Sequence, residues 1–170
     1  ESPVFSAPVR LSGTTVVRAF AVKDGMERSR VMTSLFRKIQ GDVGVRLISA
    51  FDPMYSAGGA LALVDGIRGG EDFRTGAWLG FEGIDFEAVL DLGSSRKIGS
   101  ITAGFIQDQG SWIFMPRSVE FFVSADGENF EPVSALDGGV SAEKEGPVLR
   151  DFKASVPGIE GRFVKVLARS

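Results

Sequence analysis

Hydrophobic and polar residues alternate along much of the chain, most clearly in its second half. Within residues 117–125, three apolar residues share one face: Val119, Phe121 and Val123. A Ser-Ala-Asp-Gly turn follows them, and residues 86–92 show the same alternation. Residues 98–106 are apolar and rich in β-branched side chains. Because successive side chains of a strand point to opposite faces, these patterns predict β-strands in all three segments.

Weaker strand patterns occur towards both ends of the chain. They cover residues 14–22 and 30–39, separated by a Lys-Asp-Gly turn signal, and then residues 129–134, 148–153 and 162–168. No window shows a sustained helical stripe, and the 22 glycines and 7 prolines indicate many tight turns. We therefore expect an all-β fold, an antiparallel β-sandwich of the jelly-roll type, in which residues 96–106 are the hairpin or crossover partner of residues 86–92.

A short polar break at residues 40–42 divides the chain. We expect a short β segment over residues 1–40 and a β-sandwich domain over residues 43–170. A few strands alone cannot bury both faces, so the first segment is either an edge addition to the sandwich or the remnant of a separate small domain.

Composition excludes several classes of site. The net charge of -3 and the absence of Lys or Arg runs give no electrostatic basis for binding nucleic acid. The chain has no Cys, which excludes disulfides and thiolate metal sites, and no His, which excludes imidazole bases and the commonest transition-metal ligand. Any metal site must therefore be built from oxygen atoms.

The loop between two of the predicted strands is the strongest candidate for a ligand site. It places three polar side chains beside a large ring: Gln107, Asp108, Gln109 and Trp112. Pro116 prevents the loop from continuing a central sheet ladder. Loops of this kind on a rigid sheet commonly bind ligands.

Several motifs together resemble a known family. The stretches ALVDGIRGGEDFRTGAWLGFEG, DFEAVLDLG, KIGSITAGFIQDQGSWIFMPRSVEFFVSADGENFEPV and GRFVKVLA, in this order, resemble the discoidin or coagulation factor type C domain. The likeness covers residues 43–170 and is closest to the copies attached to bacterial family-20 β-N-acetylhexosaminidases, which are carbohydrate-binding modules. Earlier in the chain, SPVFSAP, TTVVRAFAVKDG and SRVMT resemble the latter half of the small β domain that follows the catalytic domain of chitobiases.

This resemblance implies a glycan site and a calcium loop. Trp112, with Gln107, Asp108 and Gln109, would supply the apolar platform and the polar groups that bind a sugar, and Arg74 and Glu82 could line the same end of the sandwich. In the alternative interpretations, residues 112–115 plug the end of the sandwich or insert into lipid; the lipid role lacks a cationic rim, since only Arg117 lies near. The resemblance also places Trp78 beneath the loops as a packing residue.

In many members of this family one loop binds a calcium ion, and the resemblance matches that loop to the one that begins near Ala62 in this chain. The candidate ligands are the Asp65 carboxylate, the carbonyl oxygens of Ala62 and of Ile67 to Gly70, and Asp72 in reserve. Calcium takes six to eight oxygen ligands, which such a bend could supply. Alternatively, Asp65 only caps a turn. Residues 167–170 lack the late Glu that the family often has beside its final strand.

The resemblance implies a non-catalytic module that binds glycans containing N-acetylglucosamine, N-acetylgalactosamine or galactose. Its partner would be the catalytic domain of the same chain. We expect the protein to be periplasmic, attached to the cell surface or secreted, in a bacterium. No signal peptide is visible and the first residue is not Met, so we expect the targeting signal upstream. A purely structural module without a ligand is the main alternative, and an enzyme using Glu82 and Asp85 is a further one. Exposure of Trp112 would favour ligand binding over packing.

Overall fold

The strands are described by a computed structural model that covers residues 3–36 and 43–170. Within these residues they are β1 (Thr15–Ala19), β2 (Met32–Phe36), β3 (Gly44–Leu47), β4 (Phe86–Asp108), β5 (Ser118–Ser124), β6 (Glu131–Asp137) and β7 (Pro147–Arg169). β1 and β2 form one sheet, and the others form a second in the order β3-β4-β7-β5-β6. Because all of these strands pair antiparallel, the predicted all-β antiparallel class is confirmed.

β1 and β2 form a hairpin whose apolar side chains lie largely in solvent. The turn predicted between them is present, with the Met26 N–H donating to the Lys23 carbonyl oxygen at 3.0 Å. Val16 and Met32 remain exposed. A two-stranded ribbon has no second layer in which to bury such residues.

The predicted boundary at residues 40–42 lies outside the described residues. The division into residues 1–40 and 43–170 therefore stays a prediction. Within the described part of the chain, Phe36 at the end of β2 forms an isolated antiparallel bridge with Ile67.

β4 and β7 are long strands that pair with each other along most of their length. Residues 86–92 and 96–106, predicted as separate strands, both lie in β4, and residues 148–153 and 162–168 both lie in β7. The expectation that residues 96–106 pair with residues 86–92 is wrong, because both segments pair with β7. Both belong to the same continuous strand, which explains why neither can be the partner of the other.

Bends let these two strands serve both layers of the sandwich. The β4 register shifts between Asp91 and Arg96, where Gly93 has a φ of 78°. β7 contains Gly158, with a φ of 86°. Positive φ is readily adopted by glycine, so the chain can change direction at these positions.

Aromatic contacts show that β4 folds back on itself. The rings of Phe86 and Phe105 lie 6.3 Å apart, and Phe105 in turn contacts Phe152 at 5.5 Å. A straight strand would separate Phe86 from Phe105 by roughly 60 Å at about 3.3 Å per residue. The ends of β4 therefore lie in facing layers, which gives the sandwich its core.

The core lies between these layers and is built from inward-facing residues of four stretches. Its buried members are Ile98, Ile101, Val119, Phe121, Val123, Phe152, Ala154, Val156, Val164, Val166 and Ala168. The predicted apolar face of β5 is thus confirmed, since its three members are all buried. Because β5 begins at Ser118, shortly after the loop that follows β4, this buried strand supports one end of that loop.

Acidification is expected to weaken the fold through Asp91. Arg162 donates from Nε and Nη2 to the two Asp91 carboxylate oxygens, each at 2.8 Å. These bonds and one from the Gly93 N–H lower the pKa of Asp91 from 3.8 to about 2. A carboxyl group with a lowered pKa stabilises the folded state above its unfolded pKa, so this contribution is lost as the pH falls from 3.8 through about 2.

The variant Asp91→Asn should therefore lose less stability than the wild type between about pH 5 and about pH 2 in urea unfolding. The difference should be small because the pair is exposed. Asp24→Asn, at an exposed turn, should follow the wild type. Equal losses in Asp91→Asn and the wild type would show that the pair does not act in this way.

Candidate functional site

The loop after β4 is closed by hydrogen bonds at its base. Asp108 and Ile113 exchange backbone hydrogen bonds, with N···O distances of 2.9 and 3.1 Å. A 3₁₀ turn, Gln109–Ser111, lies between them. The Trp112 N–H donates to the Gln109 carbonyl oxygen at 3.1 Å. This closure sets the positions of the side chains at the tip.

Trp112 projects from the tip and is 85% exposed. Its backbone is in the left-handed region, with a φ of 59° and a ψ of 29°. This conformation costs a non-glycine residue of order 1–3 kcal/mol and is found most often at functional sites. A large apolar ring that lies mostly in solvent contributes little to folding, so its surface is available to another molecule.

Phe114 gives the tip a second ring. Its side chain is partly exposed, and its ring lies 6.3 Å from that of Trp112 at an interplanar angle of 80°. Ile113 and Met115 are more buried, and Met115 packs against the core. The end-plug interpretation therefore describes Met115, whereas Trp112 and Phe114 form a corner open to solvent.

Gln107 is buried, whereas the sequence predicted it among the polar side chains beside Trp112. Its side chain is only 1% exposed, and both ends of its amide are bonded within the protein. Nε2 donates to the Ser141 carbonyl oxygen at 2.8 Å, and Oε1 accepts from the Met115 N–H at 3.2 Å. This corrects the expectation of a ligand contact at the loop tip, because the side chain is almost completely buried and Nε2 and Oε1 each already have a protein partner.

Asp108 and Gln109 supply the polar groups at the tip. One Asp108 oxygen, Oδ2, accepts from the Ser111 hydroxyl at 3.1 Å. Gln109 is exposed, and in the described part of the chain its side-chain amide has no protein partner. Both side chains therefore keep hydrogen-bonding groups that no residue of the described chain uses.

A groove of about 520 Å³ adjoins this loop, and we call it the loop groove. One wall comes from the loop itself, and the other from the segment after β6; together they include Phe114, Met115, Arg117, Asp137, Val140 and Ala142. Sequence reasoning missed the second wall. The Gly138-Gly139 pair signals a turn there, but nothing local indicates what the turn faces.

Arg74 and Glu82 are both exposed, and within the described residues neither forms a hydrogen bond or ion pair with the loop that carries Trp112. The Arg74 guanidinium carbon lies 4.3 Å from the centroid of the Phe73 ring, and its Nη1 lies 3.5 Å from Asp72 Oδ1. Their assignment to the sugar site stays a prediction.

The two carboxylates of the calcium prediction both act in local turns. Asp65 Oδ1 accepts from the Ile67 N–H at 2.7 Å, and Asp72 Oδ1 accepts from the Arg74 N–H at 3.0 Å. Within residues 3–36 and 43–170, no three acidic side chains cluster as a metal site. Asp65 therefore caps a turn through Oδ1, and this leaves its Oδ2 without a protein partner in that part of the chain, so the calcium assignment stays a prediction.

One of the carbonyl oxygens predicted to bind calcium already accepts a hydrogen bond from a side chain. Trp78 Nε1 donates to the Gly70 carbonyl oxygen at 2.9 Å. The Trp78 ring also packs against Gly69, where an added Cβ would lie 2.3 Å from the ring. The carbonyl oxygens of Ala62 and Ile67 have no such side-chain donor within the described residues. An ion here would therefore depend on Asp65, these carbonyls and water.

One comparison, with models of known families, identifies the family of this domain. The model of the F5/8 type C domain matches residues 48–170. No curated protein matches the chain.

Within the described residues, no helix is long and apolar enough to cross a bilayer.

The fold is similar to several solved structures. One is CpGH89CBM32-5 from Clostridium perfringens in complex with GalNAc-β-1,3-galactose, with 19% identity, a TM-score of 0.48, and coverage of 75% of this chain and 84% of that one. Another is the C-terminal domain of a chitobiase from Bacteroides fragilis, with 19% identity, a TM-score of 0.45, and coverage of 74% and 81%. A third is CBM32-1 from a family 31 glycoside hydrolase of Clostridium perfringens, with 12% identity, a TM-score of 0.45, and coverage of 79% and 88%.

The family model covers well over half of the chain, including β4 to β7 and the Trp112 loop. This protein therefore belongs to the F5/8 type C domain family.

Proposed function

We propose that this protein is a non-catalytic carbohydrate-binding module that binds glycans containing N-acetylhexosamine. The exposed ring of Trp112, beside Asp108 and Gln109, is the observation that carries the proposal. A pyranose has an apolar C–H face and a polar hydroxyl edge. An exposed indole ring can stack on the face while a carboxylate and an amide bond the edge.

The parent protein that we propose is a bacterial β-N-acetylhexosaminidase that is secreted, periplasmic or attached to the cell surface. The order of motifs over residues 43–170, and the segment before them, support this parent. Its catalytic domain would then be the intramolecular partner, and the module would hold that domain close to its substrate. Such tethering raises the local concentration of substrate without a tight site.

The experiment that tests the function is a titration of the folded protein with N-acetylglucosamine, N-acetylgalactosamine, galactose and their oligomers, followed by NMR or calorimetry. A single open site of this kind should bind with a Kd on the order of 0.1 to 1 mM, about -4 to -5.5 kcal/mol. Absence of binding to every sugar at millimolar concentration would refute the proposal.

A structural role without any ligand is the second candidate function. The exposed apolar side chains of residues 3–36, among them Phe5 and Met32, favour packing of that segment on another surface. This role and glycan binding use different parts of the chain. Under the structural role alone, the wild type and every variant of Trp112 should fail to bind sugars.

A catalytic role for Glu82 and Asp85 has less support. The Ser170 N–H and the Arg169 guanidinium bond the Asp85 carboxylate and lower its pKa. A general acid in a glycosidase needs a raised pKa. Asp85 therefore anchors the end of β7 through Arg169 and Ser170.

We also propose that the loop around Asp65 binds Ca²⁺ as a structural ion, through Asp65 and neighbouring carbonyl oxygens. Addition of millimolar CaCl₂ should then raise the Tm of the EDTA-treated protein, because a ligand that binds only the folded state stabilises it. The rise should vanish in Asp65→Asn and persist in Asp24→Asn. An unchanged Tm in the wild type would rule out the ion.

A further inference from the structure

The loop groove continues directly from the corner formed by Trp112 and Phe114. Phe114 belongs to both, since it contacts the Trp112 ring and also lines the groove. The groove volume of about 520 Å³ lies in the range of about 300 to 1,000 Å³ that is typical of small-ligand sites. A ligand that stacks on Trp112 can therefore extend into this groove without a break in contact.

The two walls of the groove are joined by buried hydrogen bonds. Gln107 bonds the Met115 N–H on one side and the Ser141 carbonyl oxygen on the other. At its far end, the Gly138 N–H donates to the Arg117 carbonyl oxygen at 2.6 Å. A Cβ added to Gly138 would lie 2.2 Å from the Pro116 carbonyl oxygen, so only glycine permits this approach. The groove is thus a built feature rather than a gap between mobile loops.

The rim of the groove carries charged groups suited to hydroxyls. Arg117 and Asp137 both line it and are both exposed. Arg117 is oriented by its Nε, which donates to the Ser170 carbonyl oxygen at 2.6 Å. Asp137 has no side-chain partner within residues 3–36 and 43–170. Apolar walls with a few polar groups at the rim match the general composition of sites for small ligands.

We propose that the loop groove is a second sugar subsite, which takes the residue next to the one stacked on Trp112. The ligand class is therefore an oligosaccharide of at least two units, and this inference rests on the proposed function. Neighbouring units of a glycan are joined through a single oxygen atom, so their subsites must adjoin, as the corner and the groove do. Gln107 is a positioning residue for the subsite, because it joins the two walls and, although it lines the groove, it is only 1% exposed.

The test compares each monosaccharide, N-acetylglucosamine, N-acetylgalactosamine and galactose, with a β-linked disaccharide that carries the same sugar at its non-reducing end. The wild type should bind the best disaccharide about tenfold more tightly than its monosaccharide, which corresponds to about 1.4 kcal/mol. Ala142→Trp should fill the groove, abolish this tenfold preference and leave the monosaccharide affinity unchanged. Ala125→Trp, at the opposite end of β5, is the matched control and should keep the preference.

The outcomes separate the two proposals. Equal affinities for the monosaccharides and disaccharides, or an undiminished preference in Ala142→Trp, would overturn the second subsite while leaving the Trp112 site in place. Absence of binding to any sugar would overturn both. Thermal melts check that the variants fold. If Ala142→Trp does not fold, the comparison is repeated with Ala142→Leu, whose smaller side chain also fills part of the groove.

Discussion

Replacing Trp112 with alanine is expected to remove measurable glycan binding and to leave the fold intact. The ring is 85% exposed, so its loss should change the free energy of unfolding by no more than about 0.5 kcal/mol. A central aromatic anchor usually contributes about 2 kcal/mol or more to binding, so a Kd on the order of 0.1 to 1 mM should rise at least roughly 30-fold. Titration by NMR measures the affinity, and a thermal melt checks the fold.

Two variants serve as controls for this experiment. Trp112→Phe keeps a stacking ring and should retain part of the affinity. Phe5→Ala removes another exposed aromatic side chain, from the segment before the matched domain, and should bind like the wild type. Full binding by Trp112→Ala would show that the ring does not carry the site.

Replacing Phe121 with alanine is expected to cost about 3 to 5 kcal/mol of stability. Its side chain is fully buried at 0% exposure, on the face of β5 that lies against the core. The substitution removes the favourable transfer of the ring from water and leaves a cavity in a closely packed interior. Because a domain of this size is stable by about 5 to 15 kcal/mol, the loss would consume much of the total. Urea denaturation at constant pH measures it.

Phe5→Ala is again the matched control, since it is the same change at a side chain that is 77% exposed. Its free energy of unfolding should stay within about 0.5 kcal/mol of the wild type. A loss of less than about 1 kcal/mol in Phe121→Ala would mean that the facing layer collapses into the space, or that the layers are less tightly packed than the structure shows.

The strand segments could be predicted because a strand with one buried face has apolar residues at every second position of the local sequence. The apolar face of β5 alternates strictly, and all three of its members are buried. The apolar run over residues 98–106 likewise lies within β4. Pairing could not be predicted in this way, because the partner of each strand depends on residues far along the chain. The assignment of residues 96–106 as partner of residues 86–92 failed for that reason.

The candidate site shows the same division. Trp112, Asp108 and Gln109 could be singled out as a polar, aromatic loop from their own neighbourhood. Gln107 was grouped with them by sequence, yet it is buried with both ends of its amide bonded. Its partner Ser141 is 34 positions away, and no local pattern indicates that approach.

The sequence by itself determined the all-β class, the inward faces of the strands, the exclusion of imidazole and thiolate chemistry, and the position of the Trp112 loop. These follow from residue types and short-range periodicity, which are properties of neighbouring residues. Only the tertiary structure decided that β4 and β7 bend to form both layers, that Trp112 is in solvent while Gln107 is enclosed, and that a groove adjoins the loop. Exposure and enclosure depend on which distant segments meet when the sandwich closes, and that closure is set by packing of the whole core.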